Sequence, residues 1–334
     1  MSRLLLYTLQ HFAVDGVCGA ALAAYALREL YYEPILYYFG MYNLIAFGGQ
    51  WLAGYLLDRR PTWTSYGLLL SLAALGLGTV ETLDIFAKVI CLGLGNCIFH
   101  VAAGSIVLRG YSTYKELGLF VSSGAIGLAL GLNQLCGEYL FLSLYAVLTL
   151  VVFYNLQKEG GQAPCVCKTS TQDAAGVKGI APLAGMACLF LLLGCVVLRG
   201  FGGGGGSEEY VMLFPCVFAL GKALGGWCSD RIGFQHTIVL IFLLGFLALQ
   251  GGGLWSAVLL ALAFNMTMPL TLRLAHWCSP SHPGLMFGLA AGCLLPGAFF
   301  YDSLRMPPHA MLVIQFLCLF ASFELFRRFS KERP

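Results

Sequence analysis

Charge is what this chain has least of. Lys, Arg, Asp and Glu make up 10% of its 334 residues, against about 25% in soluble domains. Hydrophobic residues make up 59%, and the mean hydropathy is +0.80. That balance excludes a water-soluble globular domain. The net charge of +3 is divided among short basic clusters between apolar runs, which excludes a nucleic-acid-binding face. A nucleotide site is also missing. The glycine run Gly202–Gly206 follows no strand and leads to no Gly-Lys-Ser, so no nucleotide-driven pump is built into the chain. There is no disulfide framework, because the 13 cysteines are scattered through apolar runs as small hydrophobes. Cys165-Val-Cys167 has no second pair at zinc-finger spacing, and no metal-ligand set is legible.

What is present is a series of apolar runs of membrane-crossing length, about 20 residues each. Twelve can be read, at roughly 4–27, 35–57, 63–80, 85–108, 116–135 and 138–156, then 181–200, 209–228, 236–252, 254–275, 284–300 and 309–327. The first is too long for a secretory signal and is interrupted by His11 and Asp15. The expected architecture is an all-α integral membrane protein with an N-terminal six-helix bundle over 1–156, a cytoplasmic linker over 157–180 and a C-terminal six-helix bundle over 181–334. With both termini inside, fourteen Lys and Arg fall in inner loops and four, Arg28, Lys88, Arg199 and Arg305, in outer ones. Positive loops stay on the cytoplasmic side, so both termini are expected there.

The two halves carry one repeated phrase. Gly49-Gln-Trp-Leu-Ala-Gly54-Tyr-Leu-Leu-Asp58-Arg59 returns 172 residues later as Gly221-Lys-Ala-Leu-Gly-Gly226-Trp-Cys-Ser-Asp230-Arg231. Gly118 to Gly127 in the fifth run matches Gly288 to Gly297 in the eleventh at an offset of 170. Parallel repeats of six spans indicate a transporter.

These Gly-x(4)-Gly-x(3)-Asp-Arg segments resemble the loop motif of the major facilitator superfamily. The stretch Gly93-Leu-Gly-Asn-Cys-Ile-Phe-His100, with Gly104-Ser105, Arg109, Phe120, Gly124, Gly127 and Gly131, is similar to the fosmidomycin-resistance-like efflux branch, as is His11-Phe-Ala-Val-Asp15. The resemblance implies rocking of two halves about a central cavity lined by spans one, four, seven and ten, usually driven by protons, in a bacterial inner (plasma) membrane. It also implies that Gly54, Asp58, Arg59, Gly226, Asp230 and Arg231 form a latch that holds the halves together at the cytoplasmic side.

Polar groups at bilayer depth are costly, at about 2.5–3.5 kcal/mol for a central charge on insertion scales, and so mark candidate sites. Asp15 lies near the middle of the first span, with His11 one turn away on the same face. A carboxyl there can carry a proton and the imidazole can relay it; a structural hydrogen bond is the plain alternative. His100 and Asn96 share a face of span four, and Asn265 holds a comparable place in span ten. These are read as cavity lining, or else as interhelical hydrogen bonds. Lys222 takes the place that Gln50 has in the first half, and either attracts an anion or snorkels to the surface.

The chain is therefore expected to be no enzyme, to need no cofactor, and to act as a monomer in the lipid bilayer. It would exchange protons for a small organic molecule, by export. Proton-coupled uptake of a metabolite uses the same parts, and a non-transporting receptor or assembly partner is the alternative from another class.

Overall fold

A computed structural model of the chain describes residues 2–28, 32–158, 182–201, 210–300 and 306–330. Most of the expected linker, with Cys165 and Cys167, lies outside the described residues, as do Gly202–Gly206, Arg305, Lys331 and Arg333.

Within the described residues every expected span is helical. The first half comprises α1 (Arg3–Arg28), α2 (Tyr32–Asn43), α3 (Gln50–Arg59), α4 (Thr64–Gly78), α5 (Ile85–Gly110), α6 (Tyr114–Leu132) and α7 (Glu138–Lys158). The second comprises α8 (Pro182–Phe201), α9 (Leu213–Ile232), α10 (Phe234–Gln250), α11 (Gly253–Cys278), α12 (Pro283–Gly292), α13 (Leu294–Phe299) and α14 (Pro308–Phe329). Twelve spans result because α2 and α3 form one and α12 and α13 another.

Pro215, Pro269 and Pro296 are expected to interrupt three helices of the second half, and of the two composite spans only the break before Pro296 answers to that expectation. A π-helical segment, Leu44–Gly48, joins α2 to α3. The helix of span eleven breaks at Cys293, three residues before Pro296, which has no N–H to give to the preceding turn and whose ring crowds it. Pro269, by contrast, sits inside an unbroken α11, and Pro215 lies in the first turn of α9.

The polarity of the bundle follows from its solvent. Large apolar side chains point outward, such as Leu140, Val147, Leu150 and Tyr154 on α7 and Met186 and Phe190 on α8. Buried polar groups turn inward and bond to one another: Gln10 Nε2 donates to Thr149 Oγ1 at 3.0 Å, and Ser123 Oγ to the Thr8 carbonyl at 2.7 Å. Among the described residues, six helices are long and apolar enough to cross a membrane on length and composition alone. α1 is not among them, because its polar residues serve the interior.

Within the first half, α6 lies along α1. A Cβ on Gly127 would overlap the Phe12 carbonyl, and one on Gly131 would overlap that of Gly16. With no side chains between them the backbones meet, which is how small residues bind membrane helices. Between the halves, α6 packs on α9 and α3 on α12, a crossed arrangement that the sequence repeat makes pseudo-symmetric.

Candidate functional site

Three side chains from two helices converge in the first half. α1 carries His11 and Asp15 one turn apart, with His11 Nε2 3.3 Å from Asp15 Oδ2. α5 brings His100, whose Nε2 lies 3.0 Å from His11 Nε2 and 3.6 Å from Asp15 Oδ1. Both histidines are buried, and the Asp15 side chain keeps 16% of its surface exposed.

The far side of each imidazole is committed. His11 Nδ1 is 2.8 Å from the Phe120 carbonyl, and His100 Nδ1 is 2.9 Å from that of Asn96. A carbonyl offers no hydrogen, so each Nδ1 is the protonated, donating nitrogen. Each Nε2 of a neutral ring is then a bare lone pair. Two such lone pairs and a carboxylate face one another, and this arrangement calls for a cation between them.

The surroundings hold the cluster in place. Asn96 Nδ2 donates to Asp15 Oδ1 at 3.0 Å and lies 3.7 Å from Cys18 Sγ. Phe120 and Phe99 flank the His11 ring at centroid distances of 5.0 and 6.0 Å. Gly124 on α6 closes the third side; a Cβ there would overlap Asp15 Oδ2 and His11 Nε2.

The other two candidates for cavity lining do not join the cluster. Asn265 donates to the Ala261 carbonyl of its own helix at 2.9 Å. Lys222, on α9, is half-buried and makes no hydrogen bond or ion pair among the described residues, but its charge is near enough to act on Asp15 and His100. Its counterpart Gln50 is fully buried and donates to the Ala46 carbonyl at 2.7 Å.

At the end of the bundle where α3 and α9 terminate, the halves are joined by two matching contacts. The Asp58 carboxylate accepts from the backbone N–H groups of Gly284 at 3.0 Å and Leu285 at 2.8 Å, in the first turn of α12. The Asp230 carboxylate accepts from Tyr114 at 2.9 Å and Lys115 at 2.8 Å, in the first turn of α6. Those N–H groups have no partner inside their own helix, and the helix dipole favours an anion there. α12 has no side-chain cap of its own, so Asp58 caps it from the opposite half. Gly54 and Gly226 allow the approach: a Cβ on Gly54 would overlap the Gly284 carbonyl, and one on Gly226 the Tyr114 carbonyl.

The basic neighbours take no part in these contacts. Arg59 lies over the Tyr55 ring at 4.6 Å and Arg231 over Trp227 at 5.6 Å, each on its own helix. The cation on Asp58 is Arg109, at 2.7 Å. Arg273, 2% exposed, crosses from α11 and donates to the carbonyls of Leu108 at 3.3 Å, Tyr111 at 2.7 Å and Thr113 at 3.0 Å. In the sequence Arg109 stands out only as an inner-loop charge and as part of the efflux-branch stretch, and Arg273 only as an inner-loop charge, although each stands near the end of the fourth span of its half. Two of the four outer-loop cations are likewise inside: Arg199 is buried and donates to Thr271 Oγ1 at 3.3 Å, and Lys88 donates to the Glu81 carbonyl at 3.1 Å.

No family model and no curated protein sequence matches the chain. Solved structures do. FucP, a major facilitator superfamily transporter in its outward conformation, superposes with a TM-score of 0.62 at 14% identity, over 99% of each chain. The proton:xylose symporter XylE gives 0.59 at 14% identity, over 97% of this chain and 94% of its own. A bacterial homologue of the iron transporter ferroportin, outward-facing, gives 0.54 at 12%, over 99% of this chain and 100% of its own. Identities this low carry fold and no more: the chain has the major facilitator fold, twelve membrane helices in two pseudo-symmetric bundles of six.

Proposed function

We propose that the chain is a secondary active transporter that works by alternating access, exchanging protons for a small organic molecule in the direction of export. The observation that carries this reading is the His11–Asp15–His100 cluster, which faces two imidazole lone pairs and a carboxylate onto one point and so takes up one positive charge. A proton shared there can be released when the surroundings change, and buried ionisable clusters in membrane helices are the usual hardware of proton coupling. The crossed contacts of Asp58 and Asp230 supply the other requirement, a reversible closure at one end of the bundle. Both termini belong at that end, on the cytoplasmic face by the distribution of basic residues.

Uptake is the second reading, favoured by the likeness to a proton:xylose symporter. The test is a solute screen in proteoliposomes with and without an imposed pH gradient. Flux above protein-free vesicles that follows the gradient is expected. Its absence for every solute in both directions would contradict transport and favour a receptor or assembly role.

A further inference from the structure

We propose that His11 Nε2, His100 Nε2 and the Asp15 carboxylate also form a binding site for one divalent first-row transition-metal ion. The sequence offered no local metal motif, because His100 lies 85 and 89 residues from Asp15 and His11; the fold assembles them.

Spacing is the first support. A tetrahedral ion with bonds of about 2.0–2.1 Å holds its ligand atoms roughly 3.3 Å from one another. The two imidazole nitrogens are 3.0 Å apart, and the carboxylate meets them through different oxygens, Oδ2 at 3.3 Å from His11 and Oδ1 at 3.6 Å from His100, with one ligand atom from each residue within 4.8 Å of the others. Rotation of the carboxylate, or binding through both of its oxygens, closes the set on one ion.

The supporting contacts are those a metal site requires. Histidine ligands present one nitrogen to the ion and donate the other N–H to a backbone carbonyl or carboxylate, which fixes tautomer and ring plane. His11 and His100 do this through Phe120 and Asn96. Asn96 also orients the carboxylate. At position 124 the glycine puts no side chain of its own against His11 Nε2 and Asp15 Oδ2, where a Cβ would overlap both.

The donor set selects the ligand. Two imidazoles and one carboxylate suit zinc, iron(II), manganese or cobalt; magnesium and calcium want all-oxygen shells of six or more, and copper(I) wants sulfur. Three protein ligands leave at least one position open, which makes a bound ion exchangeable. Asp15 forms the exposed edge of the cluster, while the histidines are buried behind it. A proton and a metal ion are alternative occupants of the same lone pairs, so binding goes beyond the transport reading and does not require flux.

The test uses the full chain in detergent with any affinity tag removed, titrated with Co2+ and Zn2+ at neutral pH. One Co2+ per chain is expected, with the visible bands of a four- or five-coordinate nitrogen and oxygen site, displaced by Zn2+. X-ray absorption of the Zn2+ form should show two imidazoles. His100→Gln and Asp15→Asn should each weaken binding at least ten-fold, and the double variant Cys165→Ser/Cys167→Ser should leave it unchanged. Absence of stoichiometric binding, a thiolate spectrum, or affinity indifferent to His100→Gln and Asp15→Asn would overturn the site; the wild-type spectrum decides alone if the variants do not fold. Binding without flux removes the transport proposal and keeps the metal site, and flux without binding does the reverse.

Discussion

His11 Nε2 and His100 Nε2 stand 3.0 Å apart, and neither has a hydrogen for the other, since each ring spends its N–H on a backbone carbonyl. This opposition belongs to the first half only. In the second half Asn265 bonds to its own helix and Lys222 makes no hydrogen bond to the cluster, although its charge acts on Asp15 and His100, so the pseudo-symmetry of the spans does not extend to the bonded cluster. In the proposed mechanism one half takes up the cation and both halves provide the closure.

Gly124→Ala is expected to stop gradient-driven flux while the chain still folds. The added methyl overlaps Asp15 Oδ2 and His11 Nε2, so the cluster must open to admit it. Gly76→Ala is the control, because nothing lies within 4 Å of that position, and removing a helical glycine there stabilises by about 0.5–1 kcal/mol. Flux and thermal unfolding measured together separate the two outcomes. Equal flux from both variants would show that the close packing of α6 on the cluster is irrelevant.

Asp58→Asn should loosen the latch far more than Asp230→Asn. The Asp58 side chain is fully buried and holds Arg109 as well as two helix N–H groups. Removing one partner of a buried pair costs about 3–5 kcal/mol. Asp230 is exposed and caps a helix that has its own capping box, Thr113 with Glu116, so its loss should cost about 0.3–1 kcal/mol. Spin labels at Arg60 and Ser281, both exposed beside the contact, report the separation of the halves. A long-distance population is expected for Asp58→Asn, with little change for Asp230→Asn. The reverse order would mean that the latch is governed by Asp230.

Arg273→Lys should not preserve the closure. One planar guanidinium serves the carbonyls of Leu108, Tyr111 and Thr113, a geometry that an ammonium cannot copy. With bonds to charged groups worth about 1.5–3 kcal/mol each, loss of even one shifts the balance between latched and unlatched states at least ten-fold. The same pair of labels checks this, and an unchanged distance distribution would show that the carbonyl contacts of Arg273 do not govern the closure.

The spans, their number and the repeated Asp-containing helix ends were legible in the sequence, because apolar run length and repetition are local signals. The partners of Asp58 were not. Neighbouring residues on a helix point about 100° apart, so Arg59 cannot follow Asp58 into the contact and turns to Tyr55 instead. The His11 and Asp15 pair was readable from its one-turn spacing, but its meeting with His100 depends on α5 lying against α1, which no local pattern encodes. The break at Cys293 had a readable cause in Pro296, while the π-helical turn at Leu44–Gly48 left no comparable mark. Lys88 and Arg199 looked like loop charges because hydropathy cannot distinguish a cation at a helix end from one folded inward onto a carbonyl or hydroxyl.

The most direct measurement is solute flux in proteoliposomes under an imposed pH gradient, comparing wild type with Asp15→Asn for whichever compound the screen identifies. The account predicts that wild type accumulates or expels the compound against its gradient, and that Asp15→Asn, which keeps the shape but lacks the anion, loses the response to pH while still exchanging solute downhill. Full gradient-driven transport by Asp15→Asn would contradict it.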